Sequence, residues 1–297
     1  MERGALAAAL MILGMLLIPV GDAISKHLQE VGPYGPGFLA WSRFSIGALI
    51  FVPLALARPR WRPPRPLGAY LGRQIVRAAL ISGTIVCIIT AVGKAPLADV
   101  YGAFFIGPAV SMLLARLLLG EPVSGAERAA VGLGLAGVAL VTRPGLGPGP
   151  LISEGLAWAL AAGALYGAFL TATRWAAGKT PPMAQMAGHL GLGALITAPL
   201  GVGDLIEHGA VETGWVALMA VSSALANLFA VAAYALARAA ALAPLVYAQI
   251  LSAAALGWIG FGALPDAPAL AGLGLILAAG LVLALGRRAT GPREGTG

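Results

Sequence analysis

The sequence predicts an all-α polytopic membrane protein whose ten transmembrane helices form two inverted five-helix repeats. Its composition gives the first indication. Of the 297 residues, 59% are apolar and only 10% are charged, with a mean hydropathy of +0.88. A soluble domain carries about 25% charged residues, so this chain has too few charges to cover a soluble surface. The composition excludes a cytosolic enzyme and a disordered chain. The lengths of the apolar segments and the placement of the basic residues give two further indications.

Ten apolar segments are long enough to span a bilayer, because a transmembrane helix requires about 20 apolar residues. Glycine and proline separate the segments, as at Gly32-Pro33 and Pro181-Pro182, where turns are expected. The first segment is longer than the apolar core of a signal peptide and lacks a small-residue cleavage site, so we expect it to remain as a helix. In chain order, segments 1 to 10 cover residues 5–26, 37–57, 74–93, 98–118, 126–142, 155–174, 183–203, 215–235, 243–263 and 268–286.

The basic residues lie mostly on one side of this arrangement. With the N-terminus in the cytoplasm, fifteen of the 19 lysines and arginines fall on the cytoplasmic side. The other side receives Lys26, Lys94 and Arg143, and Arg43 lies inside segment 2. Cytoplasmic loops of membrane proteins are enriched in lysine and arginine, so we expect both termini in the cytoplasm. The positive charge is a topology signal, and we expect no nucleic-acid partner.

An internal echo predicts two repeats, residues 1–150 and residues 151–297. Leu119–Pro122 resembles Gly262–Pro265, and Ala136–Val138 resembles Ala279–Leu281, at an offset of 143 residues. Because each repeat has an odd number of spans, the second must be inverted relative to the first. Inverted repeats are typical of secondary transporters, whose substrate site lies near the midplane between the halves.

The chain resembles the drug/metabolite transporter superfamily, and within it the ten-helix EamA-type branch. The resemblance covers nearly the whole chain and is carried by short motifs in a fixed order: Trp41–Phe44, Lys94–Asp99, Pro108, Leu118–Glu121, Gly132–Val141, Leu242–Pro244, Tyr247–Gln249 and Phe261–Asp266. It implies a transporter of the bacterial inner membrane that works by alternating access. Among characterised members the chain looks most like YddG-type exporters of aromatic and other amino acids. The alternative within the superfamily is an uptake carrier for a vitamin or a nucleotide-like metabolite, such as a flavin or an adenosyl compound.

Charged residues inside the membrane are the first candidate functional residues, because they are costly there and usually functional. Arg43 lies about 10 Å along segment 2 at 1.5 Å per residue, and Asp22 lies at a similar depth in segment 1. Lys26 follows Asp22 by one helical turn and competes for it. These residues predict either a gate or contact for a zwitterionic substrate, or a structural ion pair.

Aromatic and amide side chains are the second set of candidates. Polar groups in the hydrocarbon must face protein or a wet cavity, so a ring of such side chains predicts a cavity for a cargo with a flat apolar part and a polar head. The alternative is an aromatic belt facing lipid, or contacts between helices. Pro108 is also a candidate hinge, because proline removes a helical hydrogen bond. The candidate substrate-binding residues are Tyr101, Phe105, Tyr166, Phe169, Asn227, Tyr247 and Gln249.

The remaining features point away from other functions. No nucleophile, base, paired carboxylates or charged rings converge as an enzyme or a channel requires, and we expect neither a cofactor nor a metal. His189 is the one histidine expected in the membrane, either hydrogen-bonded structurally or coupled to protons. Segments 5 and 10 carry Gly132/Ala136 and Gly274/Ala278, whose spacing permits close helix contact. They predict a scaffold of a monomer, or a homodimer contact. The expected partners are a small-molecule substrate and the lipid bilayer.

Overall fold

The computed structural model describes residues 2–32, 34–64, 66–143, 151–176, 180–208, 213–237 and 242–289. Over these ranges the chain forms ten helical segments, as the sequence predicts. Segment 4 consists of two helices separated by a turn, and segment 9 begins with a 3-10 helix. The α-helices are α1 Glu2–Val31, α2 Pro36–Ala57, α3 Leu67–Lys94, α4 Leu97–Phe104, α5 Gly107–Leu119, α6 Gly125–Thr142, α7 Glu154–Ala176, α8 Pro182–His208, α9 Thr213–Leu236, α10 Ala248–Phe261 and α11 Ala267–Ala289, with 3-10 helices at Pro59–Trp61 and Ala243–Tyr247.

Eight of these helical segments are long and apolar enough to cross a membrane, and the shorter apolar helices Leu245–Phe261 and Ala267–Val282 complete the ten. The chain is therefore a multi-pass, all-α membrane protein. The helices extend past the predicted boundaries, most clearly at α3, which begins seven residues before the predicted segment. The predicted boundaries mark apolar stretches, whereas backbone hydrogen bonding continues a helix into its polar flanks. The linker at 144–150, Arg65, Lys179, Arg238 and Arg293 lie outside the described residues.

Local sequence signals end and begin several helices. Gly120 and Gly262 follow α5 and α10 with positive φ angles of 69° and 64°, a conformation that glycine adopts without steric cost. Ser124 and Glu127 form a reciprocal capping box at the start of α6. Asp266 precedes α11 and accepts a hydrogen bond from the Ala269 N–H. This hydrogen bond and the adjacent Arg143 guanidinium lower the pKa of the Asp266 carboxyl.

The break in segment 4 lies at Phe105-Ile106, between α4 and α5. Pro108 stands in the first turn of α5, and a proline ring clashes with the carbonyl four residues earlier. That carbonyl belongs to Phe104, and it packs against the Cα of Gly163 in α7. The Gly107 carbonyl packs in the same way against Gly167, one turn further along α7. Glycine at both positions lets the displaced backbone of segment 4 lie directly on α7.

The helices pack mainly against helices of the other half. α1 packs on α9, α2 on α8, α3 on α7, and α6 on α11. The α6–α11 contact uses Gly137 and Gly272, where a Cβ on either glycine would stand 2.6 Å from the carbonyl oxygen of the other. The α6–α11 contact does not use the predicted glycines, because nothing lies within 4 Å of a Cβ built on Gly132 or Gly274. Segments 5 and 10 meet within one chain.

Candidate functional site

A buried ion pair stands at the centre of the bundle. Arg43 of α2 donates to Asp22 of α1 at 2.7 Å, and both side chains are less than a tenth exposed. The Tyr101 hydroxyl of α4 donates to the other Asp22 oxygen at 2.6 Å. The guanidinium lies against Gly21, where a Cβ would stand 2.7 Å from an Arg43 nitrogen. Three helices of the first half thus meet through one carboxylate.

One donor of this cluster is unused. Among the described residues, the buried Nε of Arg43 has no hydrogen-bond partner. Leaving a buried donor unsatisfied costs about 1–3 kcal/mol, and more for a charged group. Arg43 also lines a cavity, which is described below.

Lys26 does not compete for Asp22, contrary to the sequence-based expectation. Its ammonium donates to the carbonyls of Val92 and Ala95 at the end of α3, at 3.0 and 3.5 Å. It also pairs with Glu30 at 3.4 Å and lies over the Phe261 ring. The carbonyl end of a helix carries a partial negative charge that attracts a cation. Lys26 therefore joins the ends of α1 and α3 outside the central cluster.

A cavity of about 210 Å³ adjoins the ion pair. It lies between helices of both halves, and its walls are mostly apolar, with Ile81, Ile85 and Phe51 among them. We call it the central cavity. Asp22, Arg43 and the predicted substrate-binding residues Tyr101, Tyr166, Phe169, Asn227 and Gln249 line it, together with Phe44, Phe104, His189 and Ser223.

The predicted ring of side chains is divided between two cavities. Phe105 and Tyr247 do not line the central cavity; their rings stack on each other at 5.0 Å and line a second one. Asn227 donates to the Ser223 carbonyl in its own helix. At the break in segment 4, Phe104 lines both cavities, whereas Phe105 lines only the second one.

Sequence reasoning missed a second buried cation, Arg77 of α3. It is 3% exposed and donates to Gln74 at 2.6 Å, to Thr173 of α7 at 3.1 Å and to a backbone carbonyl of α8. Its guanidinium lies 5.1 Å from the Phe169 ring, which separates it from the central cavity. From the sequence, Arg77 is assigned to the charges that flank the membrane on the cytoplasmic side. The one sequence signal for a buried role is its i, i+3 spacing from Gln74 in an apolar helix.

His189 lines the central cavity from α8. Its Nδ1 lies 3.0 Å from the Gln185 carbonyl, so this structural hydrogen bond lies within one helix. Its ring meets Phe169 edge-on. Among the described residues, no three His, Cys, Asp or Glu side chains come together as metal ligands would.

Comparison with known protein families relates the first half of the chain to transporters. The EamA-like transporter family matches residues 5–143, which span segments 1 to 5. This match covers just under half of the chain and shows that its first half is similar to EamA-like transporters.

Comparison with solved structures supports the fold of the chain. Seventeen chains match it. One of them, a crystal structure of a protein, aligns over 96% of this chain and 99% of its own length, with a TM-score of 0.62 and 19% sequence identity. A comparison with curated proteins gives no match.

Proposed function

We propose that this protein is an EamA-like transporter and that it exports amino acids, including aromatic ones, by alternating access through the central cavity. One observation carries the proposal: a buried carboxylate–guanidinium pair faces a small cavity whose other walls are aromatic and aliphatic. An aromatic amino acid carries an ammonium group and a carboxylate on the same α-carbon, together with a largely apolar side chain. The cavity offers a matching group for each of these parts.

The charged groups hold the head of the cargo in this proposal. The Arg43 guanidinium binds the carboxylate, and Asp22 binds the ammonium group. Charge-assisted hydrogen bonds of this kind are about twice as strong as neutral ones. The amides of Asn227 and Gln249 complete the polar contacts.

The aromatic rings hold the side chain of the cargo. Phe104 and Tyr166 lie 5.1 Å apart, and Tyr166 stacks on Phe169 at 6.0 Å. Aromatic pairs at 4.5–7 Å contribute about 0.5–1.5 kcal/mol beyond their buried area. These rings favour a flat side chain over a small polar one.

The alternative cargo is a vitamin or a nucleotide-like metabolite taken up by the same route. The volume of the central cavity argues against it. Pockets for drug-sized ligands measure about 300–1,000 Å³, and the central cavity measures about 210 Å³. The size of the central cavity therefore favours a single amino acid over a flavin or an adenosyl compound.

Two inverted repeats, residues 1–150 and 151–297, belong to the proposal. The helix contacts support them: exchanging equivalent segments of the two halves turns the α1–α9 contact into α7–α3 and leaves α2–α8 and α6–α11 unchanged. Gly120 and Gly262 end segments 4 and 9 in the same left-handed conformation. The family match also ends at residue 143, close to the proposed boundary.

Flux into proteoliposomes tests the cargo. We expect labelled tryptophan or phenylalanine to move, and Asn227→Ala or Gln249→Ala to reduce the initial rate severalfold because each loses a polar contact to the cargo. Gln29→Ala is the matched control, since this amide bonds to backbone carbonyls outside both cavities and its loss leaves the rate in place.

Two results would contradict the proposal. If a flavin or an adenosyl compound moves while amino acids do not, the alternative cargo is correct. Unchanged kinetics in both amide variants, at equal membrane expression, would remove Asn227 and Gln249 from the site.

A further inference from the structure

A second cavity, of about 320 Å³, lies between α5, α6, α7, α10 and α11. The stacked rings of Phe105 and Tyr247 form one wall, and apolar side chains such as Met112 and Leu170 form others. Glu121 and Arg174 stand at one end, paired at 3.1 Å and nearly half exposed. The second cavity therefore reaches the face of the bundle at which α5 and α7 end.

Three residues separate the second cavity from the central cavity. Phe104, Tyr166 and Gln249 line both. Phe104 and Tyr166 are in ring contact, and Gln249 is only 5% exposed. We call these three residues the partition.

The backbone is irregular on both sides of the partition. The helix of segment 4 is interrupted at Phe105-Ile106, and segment 9 is a 3-10 helix over Ala243–Tyr247 just before Gln249. Within a membrane, irregular backbone is tolerated only where it is buried in protein or lines a cavity. Phe104 directly precedes the break in segment 4, and Gln249 lies two residues after the 3-10 helix. Two of the three partition residues therefore adjoin backbone that lacks regular α-helical hydrogen bonds.

The second cavity repeats the chemistry of the central one. Each contains a carboxylate–guanidinium pair, Asp22–Arg43 in one and Glu121–Arg174 in the other. Each has a pair of aromatic rings in contact, and the two share Gln249. We infer that the second cavity is a second binding site for the same class of cargo, a zwitterion with an aromatic or apolar side chain. The inference rests on the proposed function, and it makes the partition the barrier between two successive sites on one path.

Thiol accessibility tests the inference, because Cys87 is the single cysteine and can be removed as Cys87→Ala. In that background, Met112→Cys places a thiol in the second cavity, and Leu113→Cys places one on the outer surface of the same helix. Leu113 is 53% exposed and lines neither cavity. The probe is a charged, membrane-impermeant methanethiosulfonate, applied to membrane vesicles of both orientations.

We expect Met112→Cys to react severalfold faster than Leu113→Cys when the probe is on the Arg174 side, and saturating tryptophan to slow that reaction. An unreactive Met112→Cys would overturn the inference. So would a reactive thiol whose rate is the same with and without tryptophan, because the cavity would then be open but not a binding site.

A thiol in the central cavity tests the partition. Ala224→Cys lines that cavity and is separated by the partition from the Arg174 side. We expect it to react slowly from that side and severalfold faster when Phe104→Ala is added. Equal rates with and without Phe104→Ala would show that these residues are not the barrier.

This experiment distinguishes the inference from the proposed function. Without cargo, the rate at which the probe reacts with Met112→Cys or Ala224→Cys depends only on access through the cavities. These rates therefore stay the same even if the flux assay shows that the cargo is not an amino acid. Conversely, amino-acid flux with an inaccessible second cavity would leave the proposed function in place and overturn the inference alone.

Discussion

At the residue scale, Asp22 connects three helices of the first half through one carboxylate. It accepts from Arg43 and from Tyr101, at 2.7 and 2.6 Å. Charges removed from water require such partners, since an isolated buried charge costs far more than a paired one. Because the two charges are paired, they contribute to stability. Because both residues line the central cavity, the pair is also available to a charged cargo.

The first prediction concerns this pair. Arg43→Ala leaves the Asp22 charge buried, which costs about 3–5 kcal/mol when one partner of a buried pair is removed. Adding Asp22→Asn removes the uncompensated charge, so the double variant regains part of the lost stability. Thermal unfolding in detergent, analysed as a double-mutant cycle, measures this coupling.

Lys94→Ala is the matched control, because its pair with Glu154 is largely exposed. Exposed ion pairs contribute about 0–1 kcal/mol, so this variant unfolds near the temperature of the parent. Strictly additive effects of Arg43→Ala and Asp22→Asn would show that the two charges are not coupled.

At the scale of elements, the break between α4 and α5 depends on glycines in α7. The Phe104 and Gly107 carbonyls lie against the Cα atoms of Gly163 and Gly167, and the Gly163 carbonyl returns the contact to Gly107. Sequence alone showed a proline in segment 4 and predicted a kink. The glycines that receive the displaced backbone lie some 60 residues away, and no local pattern connects them to Pro108.

The second prediction follows from this contact. Gly163→Ala places a Cβ against the Phe104 carbonyl, which the backbone cannot avoid without moving α7. Forcing extra atoms into a packed contact costs about 1–3 kcal/mol. We therefore expect a lower unfolding temperature together with a reduced flux, because α4 carries both Tyr101 and Phe104.

Gly132→Ala is the control on α6, where nothing lies within 4 Å of the added Cβ. It removes a glycine from a helix interior and is expected to leave stability unchanged or raise it slightly. If Gly163→Ala behaves like Gly132→Ala, the contact between α7 and the break does not matter for stability.

At the scale of the whole molecule, charged residues at the helix ends form ion pairs with helix ends on the same face of the bundle. Lys94 pairs with Glu154, and Arg143 pairs with Asp266, at ends that the alternation of ten spans assigns to one face. Arg174 pairs with Glu121 at ends assigned to the opposite face. These contacts agree with the alternation that the basic residues predict, and the identity of the cytoplasmic face rests on those residues alone.

The third prediction concerns this orientation. An even number of spans places both termini on one side, and the positive-inside rule places them in the cytoplasm. A reporter that is active only in the cytoplasm, fused to the C-terminus in bacteria, should be active. A reporter active only in the periplasm, fused at the same position, should be silent; the reverse result would contradict the predicted orientation.

The sequence by itself determined the membrane class and the ten helical segments. It also indicated the Asp22–Arg43 pair. Each rests on information within one or two adjacent segments: hydropathy over a window, turn residues, and two charges at equal depth. Tertiary structure alone decided that Lys26 bonds to α3, that Phe105 and Tyr247 belong to a second cavity, and that Arg77 is buried against α7 and α8. These outcomes depend on which helices pack together and at what rotation, because weak contacts summed over the whole bundle set that packing.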